Sequence, residues 1–141
     1  MGTRRTGGLA SRVGRPSGKR KHVPKKVMVL EDETVLVDLL QDLLGLEGYE
    51  VSKLKSNENI LADMRSTRPD AVLMDVNLKG VNGLELLGKI RADEDLKDTL
   101  VVLSSGLDYR QESLARGADD FLMKPYMPED LMKILSQKIK N

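Results

Sequence analysis

The sequence predicts an α/β fold in which a five-stranded parallel sheet is covered by helices on both faces. Three observations carry this expectation. From residue 27, strand-like and helix-like patterns alternate five times. The strand-like runs are almost continuously apolar, as strands buried on both faces are. Amphipathic segments separate them, and right-handed crossovers assemble such units into a doubly wound sandwich.

The elements follow in order. Val27-Met28-Val29-Leu30 is the first strand. Val35, Leu36, Leu39, Leu40, Leu43 and Leu44 then recur at helical spacing, with Gly48 as the stop. Tyr49 to Leu54 reads as the second strand. A helix from Asn59 to Arg68, built on Ile60, Leu61 and Met64, ends at Pro69, which disfavours helix in the residue before it. Ala71 to Met74 is the third strand. A loop containing Gly80 and Gly83 leads to a helix on Leu84, Leu87 and Ile90. Leu100 to Leu103 is the fourth strand, followed by a short helix carrying Leu107 and Leu114. Phe121 to Met123 is the fifth. The last helix starts near Pro128, a residue favoured in a first turn, and buries Leu131, Ile134, Leu135 and Ile139. Phe121 is the single Phe and Trp is absent, so the core must be aliphatic.

A chain of 141 residues suits one domain. No apolar run approaches the roughly 20 residues of a membrane span, and the amino terminus lacks the apolar stretch of a secretory signal. Membrane insertion is therefore not expected. The absence of cysteine excludes disulfides and thiol chemistry and fits a reducing cytoplasm. The lone His22, in a polar basic stretch, argues against a histidine-based metal site or triad.

A formal charge of +1 hides an asymmetry. Residues 1–26 hold nine of the 23 Lys/Arg and none of the 22 acids, which leaves the remainder at a net −8. Residues 1–24, rich in Gly, Ser, Arg and Pro, are expected to be a disordered basic tail, and residues 25–141 the domain. The tail is the one expected route to nucleic acid. No aromatic residue interleaves its basic ones, so base stacking is not indicated, and a plain solvated leader explains it equally.

Functional-type residues stand where the strands end: Glu31 and Asp32 after the first, Asp75 after the third, Lys124 with Pro125 after the fifth. In the common flavodoxin-like strand order, 2-1-3-4-5, strands one and three are neighbours at the switch point, where open α/β sheets bind ligands. Clustered carboxylates repel one another, and a hard divalent cation relieves that repulsion. Mg²⁺ takes one or two carboxylates, keeps waters and accepts a phosphate oxygen. Asp75 is then a candidate nucleophile for an aspartyl-phosphate, with Lys124 neutralising charge on the phosphoryl group.

Taken in order, Val29-Leu30-Glu31-Asp32-Glu33, Leu73-Met74-Asp75-Val76-Asn77, Val102-Leu103-Ser104-Ser105-Gly106 and Gly117-Ala118-Asp119-Asp120-Phe121-Leu122-Met123-Lys124-Pro125 resemble the receiver domain of two-component response regulators, from about Lys26 to Lys138. The resemblance implies that Asp75 accepts the phosphoryl group, assisted by Lys124 and Ser104. It implies Mg²⁺ as cofactor, held by Asp32, Asp75 and the Asn77 carbonyl, with Glu31 acting mainly through water. Ser104 corresponds to the hydroxyl that bonds a phosphoryl oxygen. It is preferred to Ser105 because it directly follows the apolar run. Phe121 occupies the aromatic switch position and is expected to turn inward as Ser104 moves. The resemblance also allows a cis Lys124-Pro125 bond. Asp119-Asp120 reads as a solvated turn without chemistry.

Three departures accompany the resemblance. Lys79 replaces a proline often found four residues after the acceptor, which is expected to leave that loop less constrained and adds a positive charge. The stretch from Ser104 to Lys124 is about two residues short of the usual pattern. Met127 stands where a capping Asp or Ser is common.

The expectation is a stand-alone, phosphorylation-dependent switch without an output domain. Its donor would be a sensor histidine kinase or histidine phosphotransfer protein, and its downstream partner is not specified by the sequence. It would catalyse its own phosphorylation and dephosphorylation rather than turn over a substrate. Alternatives are a receiver-fold interaction module that transfers no phosphate, or a receiver fragment of a longer regulator. A phosphohydrolase would need a further acid and a cap, for which five β-α units leave no room. A nucleotide-binding role lacks its Gly-rich lysine loop.

Overall fold

A computed structural model describes Val23 and residues 25–139. The tail expected over residues 1–24 lies almost wholly outside the described residues. The elements are β1 (Lys26–Leu30), α1 (Thr34–Leu46), β2 (Glu50–Lys53), α2 (Ile60–Thr67), β3 (Ala71–Asp75), β4 (Asn77–Leu78), β5 (Val81–Asn82), α3 (Gly83–Ala92), β6 (Leu100–Ser105), α4 (Arg110–Ala115), β7 (Asp120–Met123) and α5 (Pro128–Lys138).

The main sheet runs β2-β1-β3-β6-β7, every neighbouring pair parallel. This is the expected 2-1-3-4-5 order, with β6 and β7 as the fourth and fifth strands. Side chains alternate faces along a strand, so each run serves two cores. Val27, Val29, Leu73, Val102 and Leu122 pack with Val37, Leu40 and Leu44 of α1 and Leu131, Ile134 and Leu135 of α5. Met28, Leu30, Val72, Met74, Leu103 and Phe121 pack on the other face with Ile60 and Met64 of α2 and Leu84, Leu87 and Ile90 of α3. No described helix is long and apolar enough to cross a membrane.

Three local differences from the sequence reading have physical causes. In α1 the buried stripe is Val37, Leu40 and Leu44, at i, i+3 and i+7, while Val35 and Leu39 are exposed. An apolar-rich helix offers more candidates than one face can bury. The loop after β3 contains a two-stranded hairpin, β4 with β5, turned at Lys79 and Gly80. Gly80 has φ +75°, a conformation glycine adopts without a Cβ penalty. Strands of two residues give no periodic signal. Finally, α4 has only six residues, which accommodates the shortened stretch before Lys124.

Candidate functional site

β1, β3, β6 and β7 of the central sheet deliver their functional residues to the same edge. Asp75 is the last residue of β3, and Glu31 and Asp32 follow β1, which pairs with β3. Lys124 follows β7, and its N–H donates to the Ser105 carbonyl at 2.8 Å, fixing the strand end. The Lys124-Pro125 bond is cis.

Lys124 is the hub. Its Nζ lies 2.8 Å from Asp75 Oδ2, 2.8 Å from Glu31 Oε1 and 3.9 Å from Glu33 Oε2. Burial works against the charged ammonium, but hydrogen bonds to Asp75 and Glu31 and the charges of both outweigh it. The lysine pKa is held above its ordinary value. Glu31, nearly inaccessible, also accepts from the Glu33 N–H at 3.1 Å. Asp75 Oδ1 accepts from the Asn77 N–H at 2.8 Å.

Beside this hub is a cleft of about 530 Å³ lined by Glu33, Leu36, Asp75, Asn77, Lys124 and Tyr126, among others. The Tyr126 hydroxyl is buried without a hydrogen-bond partner among the described residues. Burial, reinforced by the charge of Glu31, pushes its pKa up to about 12. Glu33 and Tyr126 were not singled out from the sequence, because each becomes a site residue only through the convergence on Lys124.

The backbone under Asp75 is tightly built. Asn82 caps α3, its Oδ1 accepting from the Leu84 and Glu85 N–H groups at 2.9 and 3.3 Å. Gly83 begins that helix against β3, where an added Cβ would come 2.7 Å from the Asp75 carbonyl oxygen and 2.8 Å from Val76 Cα. No side chain fits there.

The donor set suits a hard cation. Among the described residues no cluster of three or more His, Cys, Asp or Glu side chains forms a metal cage, so a metal here needs other oxygens. The hairpin supplies one. The Gly83 N–H donates to the Val76 carbonyl at 2.7 Å, which puts the next pair, Asn77 with Asn82, at a position without ladder hydrogen bonds. The Asn77 carbonyl, two residues after Asp75, thereby takes no ladder hydrogen bond among the described residues. Two exposed-edge carboxylates, a spare carbonyl and room for water fit the octahedral oxygen preference of Mg²⁺.

The two serines that end β6 take opposite faces of the sheet. β6 continues through Ser105, so the edge is reached one residue later than the apolar run implies. Ser104 stands between Asp75 of β3 and Leu122 of β7 in the sheet register, on the α1–α5 face that Asp75 shares, fully buried, its hydroxyl without a partner among the described residues. Ser105 alternates to the face of Leu103 and Phe121. Its Oγ accepts from the Leu107 N–H at 3.1 Å and lies 3.4 Å from Asn77 Nδ2. Ser104 thus stands beside Asp75 in the sheet, while Ser105 reaches Asn77 from the opposite face.

Phe121 is already inward, its ring buried. Arg110 of α4 covers it, with Cζ 5.7 Å from the ring centroid and Nη2 donating to the Phe121 carbonyl at 3.0 Å. Asp119 and Asp120 are not merely solvated. Asp119 Oδ2 accepts from the Val101 N–H at 2.8 Å and Arg91 Nη2 at 2.9 Å, and Asp120 Oδ1 lies 3.5 Å from Arg110 Nη1. Met127 caps no helix N–H with its side chain, yet Asp130 Oδ2 accepts from its N–H at 3.1 Å and completes the turn.

The response regulator receiver domain model matches residues 27–136. The chain belongs to that family. Among curated relatives, the receiver is 28% identical over 116 residues to the DNA-binding response regulator MtrA of Mycobacterium tuberculosis, covering 82% of this chain and 51% of that protein. It is 32% identical over 108 residues to the transcriptional regulatory protein PrrA of Mycobacterium leprae, covering 76% and 46%. The chain thus spans about half the length of these relatives. Among solved structures, chemotaxis response regulator CheY4 of Vibrio cholerae superposes with a TM-score of 0.74 at 28% identity, covering 82% of this chain and 98% of that one. The receiver domain of sensor histidine kinase PA1611 from Pseudomonas aeruginosa gives 0.73 at 26% identity, with 83% and 98% covered. That protein was crystallised with a magnesium ion coordinated in its active-site cleft. Receivers of this family serve phosphotransfer signalling in two-component systems.

Proposed function

We propose that this receiver accepts a phosphoryl group on Asp75 from a phosphohistidine of a sensor kinase or phosphotransfer protein. The observation that carries the reading is Asp75 at the end of β3, paired at 2.8 Å with Lys124 and lying beside Glu31. An Asp75 carboxylate oxygen attacks phosphorus, the donor P–N bond breaks, and the imidazole leaves with the electron pair. Lys124 is close enough to follow the charge as it moves from carboxylate to phosphoryl oxygens. Asp32, Asp75 and the Asn77 carbonyl would hold Mg²⁺, with Glu31 kept back by Lys124 and acting through water. When bound, that ion neutralises phosphoryl oxygens and orients them for in-line attack.

Ser104 is the hydroxyl assigned to bond a phosphoryl oxygen, since it stands beside Asp75 in the sheet and its hydroxyl has no partner among the described residues. Its movement would shift β6 next to Leu103, which pairs with Phe121 under Arg110, and so bias a two-state switch. The match covers only about half of the DNA-binding relative MtrA, so this reading is confined to receiver chemistry.

The test is incubation with Mg²⁺ and a small acyl-phosphate donor, followed by intact mass. A single alkali-labile phosphoryl adduct is expected. Its absence, or its survival in Asp75→Asn, would defeat the proposal, and release of phosphate from ordinary phosphomonoesters would favour a hydrolase.

A further inference from the structure

Lys79 sits at the tip of the β4–β5 hairpin, and both of its peptide groups are engaged. Its N–H donates to Asp32 Oδ2 at 2.6 Å, a short, charge-assisted bond. Its carbonyl accepts from Asn57 Nδ2, in the loop between β2 and α2. Asp32 is otherwise exposed, and its Oδ1 receives no hydrogen bond among the described residues. The hairpin that carries this tip is itself anchored: Leu78 is buried, and the Val76 N–H donates to the Ser104 carbonyl at 2.8 Å. The loop expected to be loose is therefore tied at both sides of one residue.

We propose that the Lys79 peptide is a positioning element for Asp32, braced by Asn57, which fixes one carboxylate oxygen so that the other is presented to Mg²⁺. An exposed carboxylate on a loop otherwise samples several rotamers, and ordering it on binding costs free energy. A carboxylate held in advance by an outer hydrogen bond binds metal more tightly. In this chain the bond needs only the backbone N–H, so the identity of the Lys79 side chain is secondary, and the proline often found here in the family would remove it. The inference rests on the Mg²⁺ site proposed above.

Isothermal titration with Mg²⁺ alone tests it, without phosphorylation. Lys79→Pro is expected to weaken binding about tenfold. Lys79→Ala keeps the N–H and removes a repelling charge, so it is expected to bind as tightly as wild type or tighter. Asn57→Ala should fall between. In the metal-free protein, the Lys79 amide proton should be protected from exchange and lose that protection in Asp32→Ala. No Mg²⁺ binding by wild type would remove the site and this inference together. Wild-type-like or tighter binding in Lys79→Pro, with the site intact, would overturn the positioning role alone, as would an unprotected Lys79 amide. Loss in Lys79→Ala equal to that in Lys79→Pro would assign the effect to the side chain instead and overturn it too.

Discussion

Lys124 Nζ lies at the same distance, 2.8 Å, from Asp75 and from Glu31. One ammonium thus balances two carboxylates of which one, Glu31, has almost no access to water. Removing the lysine leaves that buried charge uncompensated. Lys124→Ala is expected to destabilise the fold by about 1–2 kcal/mol at neutral pH, the lower part of the range for charged hydrogen bonds because the ammonium keeps some solvent contact. Urea unfolding checks this, and adding Mg²⁺ should recover part of the loss by neutralising the same carboxylates.

The two serines of β6 should separate cleanly. Ser104→Ala deletes a buried hydroxyl without a partner among the described residues, so stability is expected to stay level or rise by about 1 kcal/mol, while phosphoryl transfer stays measurable and the response of the Phe121 environment weakens. Ser105→Ala removes the bond from the Leu107 N–H, should cost about 1 kcal/mol, and should leave that response intact. Tyrosine and phenylalanine NMR signals before and after phosphorylation would show it.

Tyr126 supplies a pH dependence. Its folded pKa, pushed up to about 12 by burial from the ordinary 10.0, means the native state holds the phenolic proton more tightly than the unfolded chain. The associated stability is fully present below pH 10 and is lost as the pH rises through about 12. Tyr126→Phe should therefore equal or exceed wild type in Tm at pH 7 and lose less Tm than wild type between pH 10 and 12. A thermal melt series in that window decides it.

Far from the site, Arg91 ties three segments together. Its guanidinium donates to the Gly117, Lys97 and Thr99 carbonyls at 2.7–2.9 Å and to Asp119. Arg91→Met keeps the stem and removes every one of these bonds, and should cost about 2–3 kcal/mol. Phosphorylation of the folded fraction should be unaffected, because this knot lies at the opposite end of the sheet from Asp75.

How much of this was legible in sequence follows from where each signal resides. Apolar strands such as Val27–Leu30 and Ala71–Met74 are buried on both faces, so composition alone marks them, and their ends mark Asp75, Asp32 and Lys124. Which face a residue takes is another matter. That β6 runs on through Ser105 is a property of sheet pairing, and Val35 and Val37 differ only by the rotation of α1. The hairpin at Lys79 is made by backbone bonds to Asp32 and Asn57, residues 47 and 22 positions away, so no local pattern records it. Arg110 over Phe121 and Arg91 on Asp119 are invisible for the same reason, being polar residues whose partners are chosen by the tertiary fold.

The account turns on Asp75 as the phosphoryl acceptor. Its most direct test is borohydride trapping: the protein is incubated with Mg²⁺ and an acyl-phosphate donor, reduced, digested and sequenced by mass spectrometry. An acyl phosphate is reduced to the alcohol, so homoserine is expected at position 75, and only when donor and Mg²⁺ are both present. Homoserine at another aspartate, or none at all under conditions where the intact protein gains phosphate, would contradict the account.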